Sequence, residues 1–368
     1  MELTVVVIYL VGMIAIGLYY AGKIKTTEDF SLAGRSVPWF LAMATLLATS
    51  AGGGASVGSV GRAYAIGAAW PFIVSGWYVC HILVGIFLAP RLARYNFYTV
   101  ADFMEYRYGE FARVLTAILC LAYVVGVNAA QLVAMGTITA SILGIPLWVA
   151  LLVATAVIVF YSCAGGLKAV IQTDLIQAMI LIGGFALALF LGLRAAGGYA
   201  ALAASPSGNL LSPTAVLAAP QIVALFFAFL LGEALSPMYV QRYYAGRTPD
   251  DARRGSILAG VVLLLVMPIA TTSLGIMAAG KFPGLEEGAV FMSVVREVLP
   301  AALSGVFIAA VLAAIMSTAD SMLQVAGVIV MRDFWVKFRP AAGDRELLAV
   351  SRYSIVVIAV LGLCLGLY

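Results

Sequence analysis

Apolar stretches of about twenty residues recur along this chain, each long enough for an α-helix to cross the roughly 30 Å hydrocarbon layer of a bilayer. They lie near residues 3–22, 37–60, 70–89, 113–143, 146–163, 172–193, 220–240, 256–280, 300–330 and 350–368. Hydrophobic residues make up 64% of the chain and charged ones 10%, against about 25% charged in a soluble domain. The same balance excludes a disordered chain, which would be poor in apolar residues and rich in charge. The sequence therefore predicts an all-α polytopic membrane protein of about ten spans, with residues 1–368 forming one transmembrane domain. The first apolar run begins almost at Met1 without a basic region, which predicts a retained span rather than a cleaved signal peptide. The loops at 195–219 and 281–299 are the longest on their side, and neither suffices for a soluble domain.

Cytoplasmic loops of membrane proteins collect Lys and Arg. Of the 21 such residues, only Arg62, Arg194, Lys281 and Arg296 follow even-numbered spans; the other 17 follow odd-numbered ones. That asymmetry predicts a multi-pass protein of the plasma (inner) membrane with its N-terminus outside. The net charge of +4 is dispersed among loops, which points away from nucleic acid. Cys80, Cys120, Cys163 and Cys364 sit singly in apolar runs and read as small buried hydrophobes. With one histidine, a Cys/His zinc site and a redox pair are both excluded. His81 reads as a hydrogen-bonded packing residue, and Trp70, Trp77 and Tyr78 as interface or packing groups. No nucleophile and acid are spaced near His81, so the sequence predicts no enzyme and no organic cofactor.

Two spans are interrupted. Span 2 holds Ser50-Ala51-Gly52-Gly53-Gly54-Ala55-Ser56, and three glycines in mid-helix, each destabilising by about 1 kcal/mol relative to alanine, favour local unwinding. Close helix packing through small residues is the alternative. Span 7 holds Gly232-Glu233-Ala234-Leu235-Ser236-Pro237, and proline inside a helix removes a hydrogen bond and opens it. The two spans lie five apart with opposite predicted directions. Broken helices in matching positions of inverted halves mark a transporter whose solute binds at midplane between the breaks. The substrate contacts this picture names are Ser50, Gly52, Gly53, Gly54, Ala55, Glu233 and Ser236. Glu233 equally fits a gate or a pair with a basic residue.

Span 9 reads Ala313-Ala314-Ile315-Met316-Ser317-Thr318-Ala319-Asp320-Ser321. Ionisable groups in hydrocarbon are expensive and mark function. Hydroxyl oxygens and freed carbonyls suit a hard cation such as Na⁺, whereas back-bonding to the preceding turn is the structural alternative for Ser317 and Thr318. Asp320 fits either an ion site or the packing of its own helix. Asp174, in the first turn of span 6, reads as a carboxylate favoured by that helix N-terminus and by nearby Lys168.

Several segments resemble the sodium:solute symporter family: Ser31-Leu32-Ala33-Gly34-Arg35, Gly58 through Gly67 (GSVGRAYAIG), Gly165 through Asp174 (GGLKAVIQTD), Val240-Gln241-Arg242 and Ala314 through Ser321. In this order they cover essentially the whole chain. The resemblance implies the leucine-transporter-like inverted-repeat fold, and a sodium held by the carbonyls of Ala48, Ala51 and Ala314 with the hydroxyls of Ser317 and Thr318. Some relatives add a second ion at the carboxylate matching Asp174 and a serine where this chain has Ala314, so a second site here would rest on Asp174 and Asp320. Ala55 stands where sugar-binding relatives place glutamine, which implies an amino acid, carboxylate or vitamin-like solute. The family core needs one more helix than this chain holds, so its last core helix is expected to be absent. Sodium-driven import of a small organic solute by alternating access follows from this resemblance. A proton-coupled carrier with Asp174, Glu233 or Asp320 titrating, or a non-transporting sensor or partner subunit, are the alternatives.

Overall fold

A computed structural model describes residues 2–195, 197–198, 208–297 and 301–367. Among these the chain forms helices joined by turns and short loops, and its one extended pairing is an isolated bridge between Val37 and Gly246. In chain order the helices that matter are α1 (Glu2–Ala21), α2 (Thr27–Leu32), α3 (Trp39–Ser50), α4 (Gly54–Ile66), α5 (Ala69–Phe87), α6 (Val100–Tyr108), α7 (Glu110–Leu143) and α8 (Leu147–Ala195). They continue as α9 (Ala219–Gly232), α10 (Pro237–Ala245), α11 (Pro249–Lys281), α12 (Glu287–Glu297), α13 (Ala301–Ile329) and α14 (Asp344–Leu367). Among the described residues, six helices are long and apolar enough to cross a membrane, or up to eight if α3–α4 and α9–α10 each form one bent span.

The difference from ten lies partly in α8, which runs through residues read from sequence as two spans. Its register against α1 shows where it divides. Gly17 of α1 lies against Tyr161, and Tyr20 against Gly165, so the two numberings rise together. Farther on, the Gln177 amide donates to the Tyr9 hydroxyl at 2.8 Å, and the numbering has reversed. The chain turns back at Gly166, whose φ of 55° and ψ of −159° break the helix. That conformation is open essentially to glycine alone, and strain there costs roughly 1–3 kcal/mol for other residues. A methyl group at Gly166 would also stand 2.8 Å from the Phe30 carbonyl and 2.6 Å from its ring. Gly166→Ala is therefore expected to lower the thermal midpoint in detergent by several degrees, whereas Gly183→Ala, with nothing within 4 Å, leaves it unchanged.

α13 is the central post. Over the candidate span Ser304–Phe338, 94% of the most apolar window is buried, so its polar groups face protein and not lipid. One end of the bundle is tied by charge. Arg113, buried on α7, pairs with Asp102 at 3.0 Å, with Asp333 at 2.7 Å and with Glu105; Arg35 pairs with Glu28 at 2.7 Å. At the other end, Arg62–Glu287 at 3.4 Å is the one ion pair among the described residues.

Three sequence expectations need correction here. The loop at 281–299 contains α12, whose Val290, Phe291, Val294 and Val295 are buried; its short apolar stripe alternates with polar residues and so gave no span-length run. Lys168 does not neighbour Asp174: it pairs with Asp29. Burial works against the Asp29 carboxylate, but Lys168 and Thr26 outweigh it and hold its pKa below the usual range. Arg113 and Arg242, counted above as loop charges, are both buried. Part of the loop at 195–219 lies outside the described residues.

Candidate functional site

The first break separates α3 from α4. Helix α3 ends at Ser50, and the chain resumes at Gly54 after a bend of 64°. The glycines serve both alternatives raised by the sequence. Unwinding frees carbonyls at the end of α3, and Gly52 also lets α13 approach, because a methyl there would stand 2.9 Å from Thr318 Cβ. Gln131 of α7 steadies the break by accepting the Gly53 N–H at 2.8 Å. Ser56 donates its hydroxyl to the Gly52 carbonyl at 2.8 Å. Ser50 donates to the Leu46 carbonyl at 2.6 Å, and its oxygen meets His81 Nε2 at 2.8 Å. His81 is thus a buried, hydrogen-bonded packing group, edge-on to Tyr239.

Across the break stands α13. The Ser317 hydroxyl shares its proton between the carbonyls of Ala48 (2.8 Å) and Ala314 (2.9 Å). The Thr318 hydroxyl does the same toward Thr49 (2.7 Å) and Ala314 (3.2 Å). Back-bonding to Ala314 is present, yet each hydroxyl also bridges to α3. Three carbonyl and two hydroxyl oxygens thereby converge on one buried point between two helices. The carbonyl that Thr318 takes from α3 is that of Thr49. Ala51, whose carbonyl the resemblance adds to the set, is the residue that caps α3.

A second polar cluster lies alongside. Asp174 accepts from the Thr45 hydroxyl, and the Arg242 guanidinium lies 3.6 Å from its carboxylate. Arg242 also donates to Thr45 (2.9 Å), to the Met238 carbonyl (2.9 Å) and to Ser321. Asp320 accepts the Tyr161 hydroxyl at 2.7 Å, and the Thr49 and Ser321 hydroxyls meet at 3.0 Å. Arg242 was missed as a site residue because span 7 was ended at residue 240, two positions short of it. Gln131 carried a usable signal, an amide inside an apolar span.

The second break joins α9 to α10 with a bend of 47°. The span is broken where the sequence reading placed the break, and Pro237 opens α10 as a first-turn residue, where its missing N–H costs nothing. Glu233 accepts the Tyr123 hydroxyl at 3.2 Å on each oxygen, and Ser236 donates to that hydroxyl at 3.4 Å. Beside the first break, with Phe229 of α9 one turn before the second, lies a cavity of about 440 Å³ lined by Gly54, Ala55, Arg62, Trp70, Trp77, Phe229 and Glu287. Trp70 and Trp77, read from sequence as interface or packing groups, pack on Phe229 and form walls of the cavity. Among the described residues, no group of three His, Cys, Asp or Glu side chains could hold a metal.

The model of the sodium:solute symporter family matches residues 30–367. The chain belongs to that family. Relatives of this symporter-family chain include a sodium/glucose cotransporter of Vibrio parahaemolyticus, 27% identical over 97% of this chain and 73% of its own length. The human sodium/glucose cotransporter 4 is 26% identical over 98% of the chain and 60% of its own length. The osmoregulated proline transporter OpuE of Bacillus subtilis is 26% identical over 98% and 76%. Among solved structures, a substrate-bound outward-open Na⁺-coupled sialic acid symporter superposes with a TM-score of 0.91 at 21% identity, covering 100% of this chain and 81% of that one. A nucleobase-cation-symport-1 family transporter matches at 0.68 and 16% identity, covering 91% and 73%. These likenesses place the family member in the leucine-transporter-like, inverted-repeat fold. Its relatives are transporters, not enzymes.

Proposed function

We propose that the chain is a sodium-coupled symporter that imports a small organic solute by alternating access. The observation that carries this is the convergence of the Ser317 and Thr318 hydroxyls on the α3 carbonyls of Ala48 and Thr49. With Na⁺ between them, both hydroxyls would turn their protons away and offer lone pairs, completing a five-oxygen shell with Ala314. Such an ion joins α3 to α13 and favours whichever conformation holds those helices together; coupling needs only that preference. Arg242 already supplies a positive charge beside Asp174, so one sodium suffices and the Asp174–Asp320 pair serves to position α8 and α13. By the charge asymmetry, the protein spans the plasma (inner) membrane with its N-terminus outside, and the cavity beside Arg62 and Glu287 opens outward.

The solute occupies the aromatic cavity beside the first break, touching Gly54 and Ala55. Its walls carry no side-chain amide, which favours an amino acid, carboxylate or vitamin-like solute over a sugar. Purified protein in detergent at fixed pH tests the ion. Exchanging potassium for sodium should raise the thermal midpoint in proportion to the logarithm of sodium concentration once binding saturates. Equal midpoints in both salts, with stabilisation by lower pH instead, would replace sodium with a proton.

A further inference from the structure

The second break holds a carboxylate without a counterion. Among the described residues no Lys, Arg or His nitrogen lies within 4 Å of Glu233, whereas the buried carboxylates of Asp102, Asp174 and Asp333 each have an arginine; Asp320, the other buried carboxylate without one, accepts from two hydroxyls, Tyr161 and Ser321. What Glu233 has is a single proton. The Tyr123 hydroxyl, itself accepting from Ser236, is shared between its two oxygens at 3.2 Å each. A carboxylate offers about four acceptor positions, so most of its capacity is unused. An unpaired charge at this depth is costly and calls for a partner.

The surroundings specify which partner. Glu233 caps the C-terminal end of α9, where the helix dipole adds negative potential and favours a cation. One turn earlier Phe229 lines the solute cavity, with Trp77 stacked on it at 6.2 Å between centroids and Trp70 edge-on at 5.9 Å. Aromatic faces attract cations as well as apolar surface. A second space of about 330 Å³, lined by Cys120, Tyr123, Gly232 and Ser236, adjoins the same break. A carboxylate, a helix C-terminus and ring faces combine into a receptor for an ammonium group.

Resting on the symport reading above, we propose that Glu233 binds the positively charged nitrogen of the transported solute, which is therefore an amine, an amino acid or a quaternary ammonium compound. The test uses matched pairs differing at that nitrogen: alanine against lactate, phenylalanine against 3-phenyllactate, and choline against 3,3-dimethylbutan-1-ol. Each is titrated by thermal shift into purified protein in sodium. At least one cationic member is expected to bind tenfold or more tightly than its partner. Glu233→Gln should erase that preference while keeping the shift produced by sodium alone, and Tyr123→Phe, which leaves the carboxylate, should retain it. Equal binding within every pair, no response to any cationic member, or an intact preference in Glu233→Gln would each overturn the assignment. Absence of the sodium shift in the unmodified protein would instead overturn the symport reading.

Discussion

Ser317→Ala combined with Thr318→Ala is expected to weaken sodium binding at least a hundredfold. Each hydroxyl is one of five oxygens around the proposed ion, and a hydrogen-bonding group facing a charge contributes about 1.5–3 kcal/mol. Two of them amount to at least about 3 kcal/mol, or two decades in affinity. The same hydroxyls tie α13 to α3 through Ala48 and Thr49, so the variant also loses two ordinary hydrogen bonds, about 1 kcal/mol each. Unfolding in sodium-free buffer measures that second loss separately, and sodium titration of the midpoint measures the first. Thr137→Ala, whose hydroxyl bonds only within its own helix, serves as control. An unchanged sodium half-saturation in the double variant would move the ion elsewhere.

The second large effect concerns the buried guanidinium. Arg242 and Asp174 are both almost wholly buried, and removing one partner of such a pair leaves an uncompensated charge, at a cost of about 3–5 kcal/mol. Arg242→Gln should accordingly unfold far earlier on heating. Adding Asp174→Asn to it removes the orphaned carboxylate and should recover much of the loss, a coupling that a double-mutant cycle reads directly. Thr45 bonds to both residues, so it must stay unchanged throughout the cycle. Independent, additive losses from the two substitutions would show that Arg242 acts through Met238 and Ser321 instead.

What could be read from the sequence divides along physical lines. Apolar length revealed the spans because burial in lipid demands it of every residue in a run. Gly52–Gly54 and Pro237 marked the breaks because backbone chemistry is local. Partners were harder. Nothing in the neighbourhood of Asp174 points to Arg242, 68 positions away, whereas Lys168 lay close in sequence and attracted the pairing wrongly. The Thr318 bond to the Thr49 carbonyl was not legible either, because it depends on how α13 sits against the end of α3. Gly166 looked like an ordinary span boundary, and only the contacts of Gly17, Tyr20 and Tyr9 show the reversal there. α12 escaped notice because an eleven-residue amphipathic helix is too short to register as a span and too apolar on one side to be a plain loop.

That short helix sits where the solute cavity meets solvent, and Glu287 and Gly288 form part of its wall. A methyl group at Gly61 of α4 would stand 2.5 Å from the Glu287 carbonyl, so backbone rests on backbone with no side chain as cushion. Parts seated that closely travel together. If the proposed alternating access moves the outer arm of the broken span, α12 would have to move with it, and the cavity mouth would change shape in the same stroke.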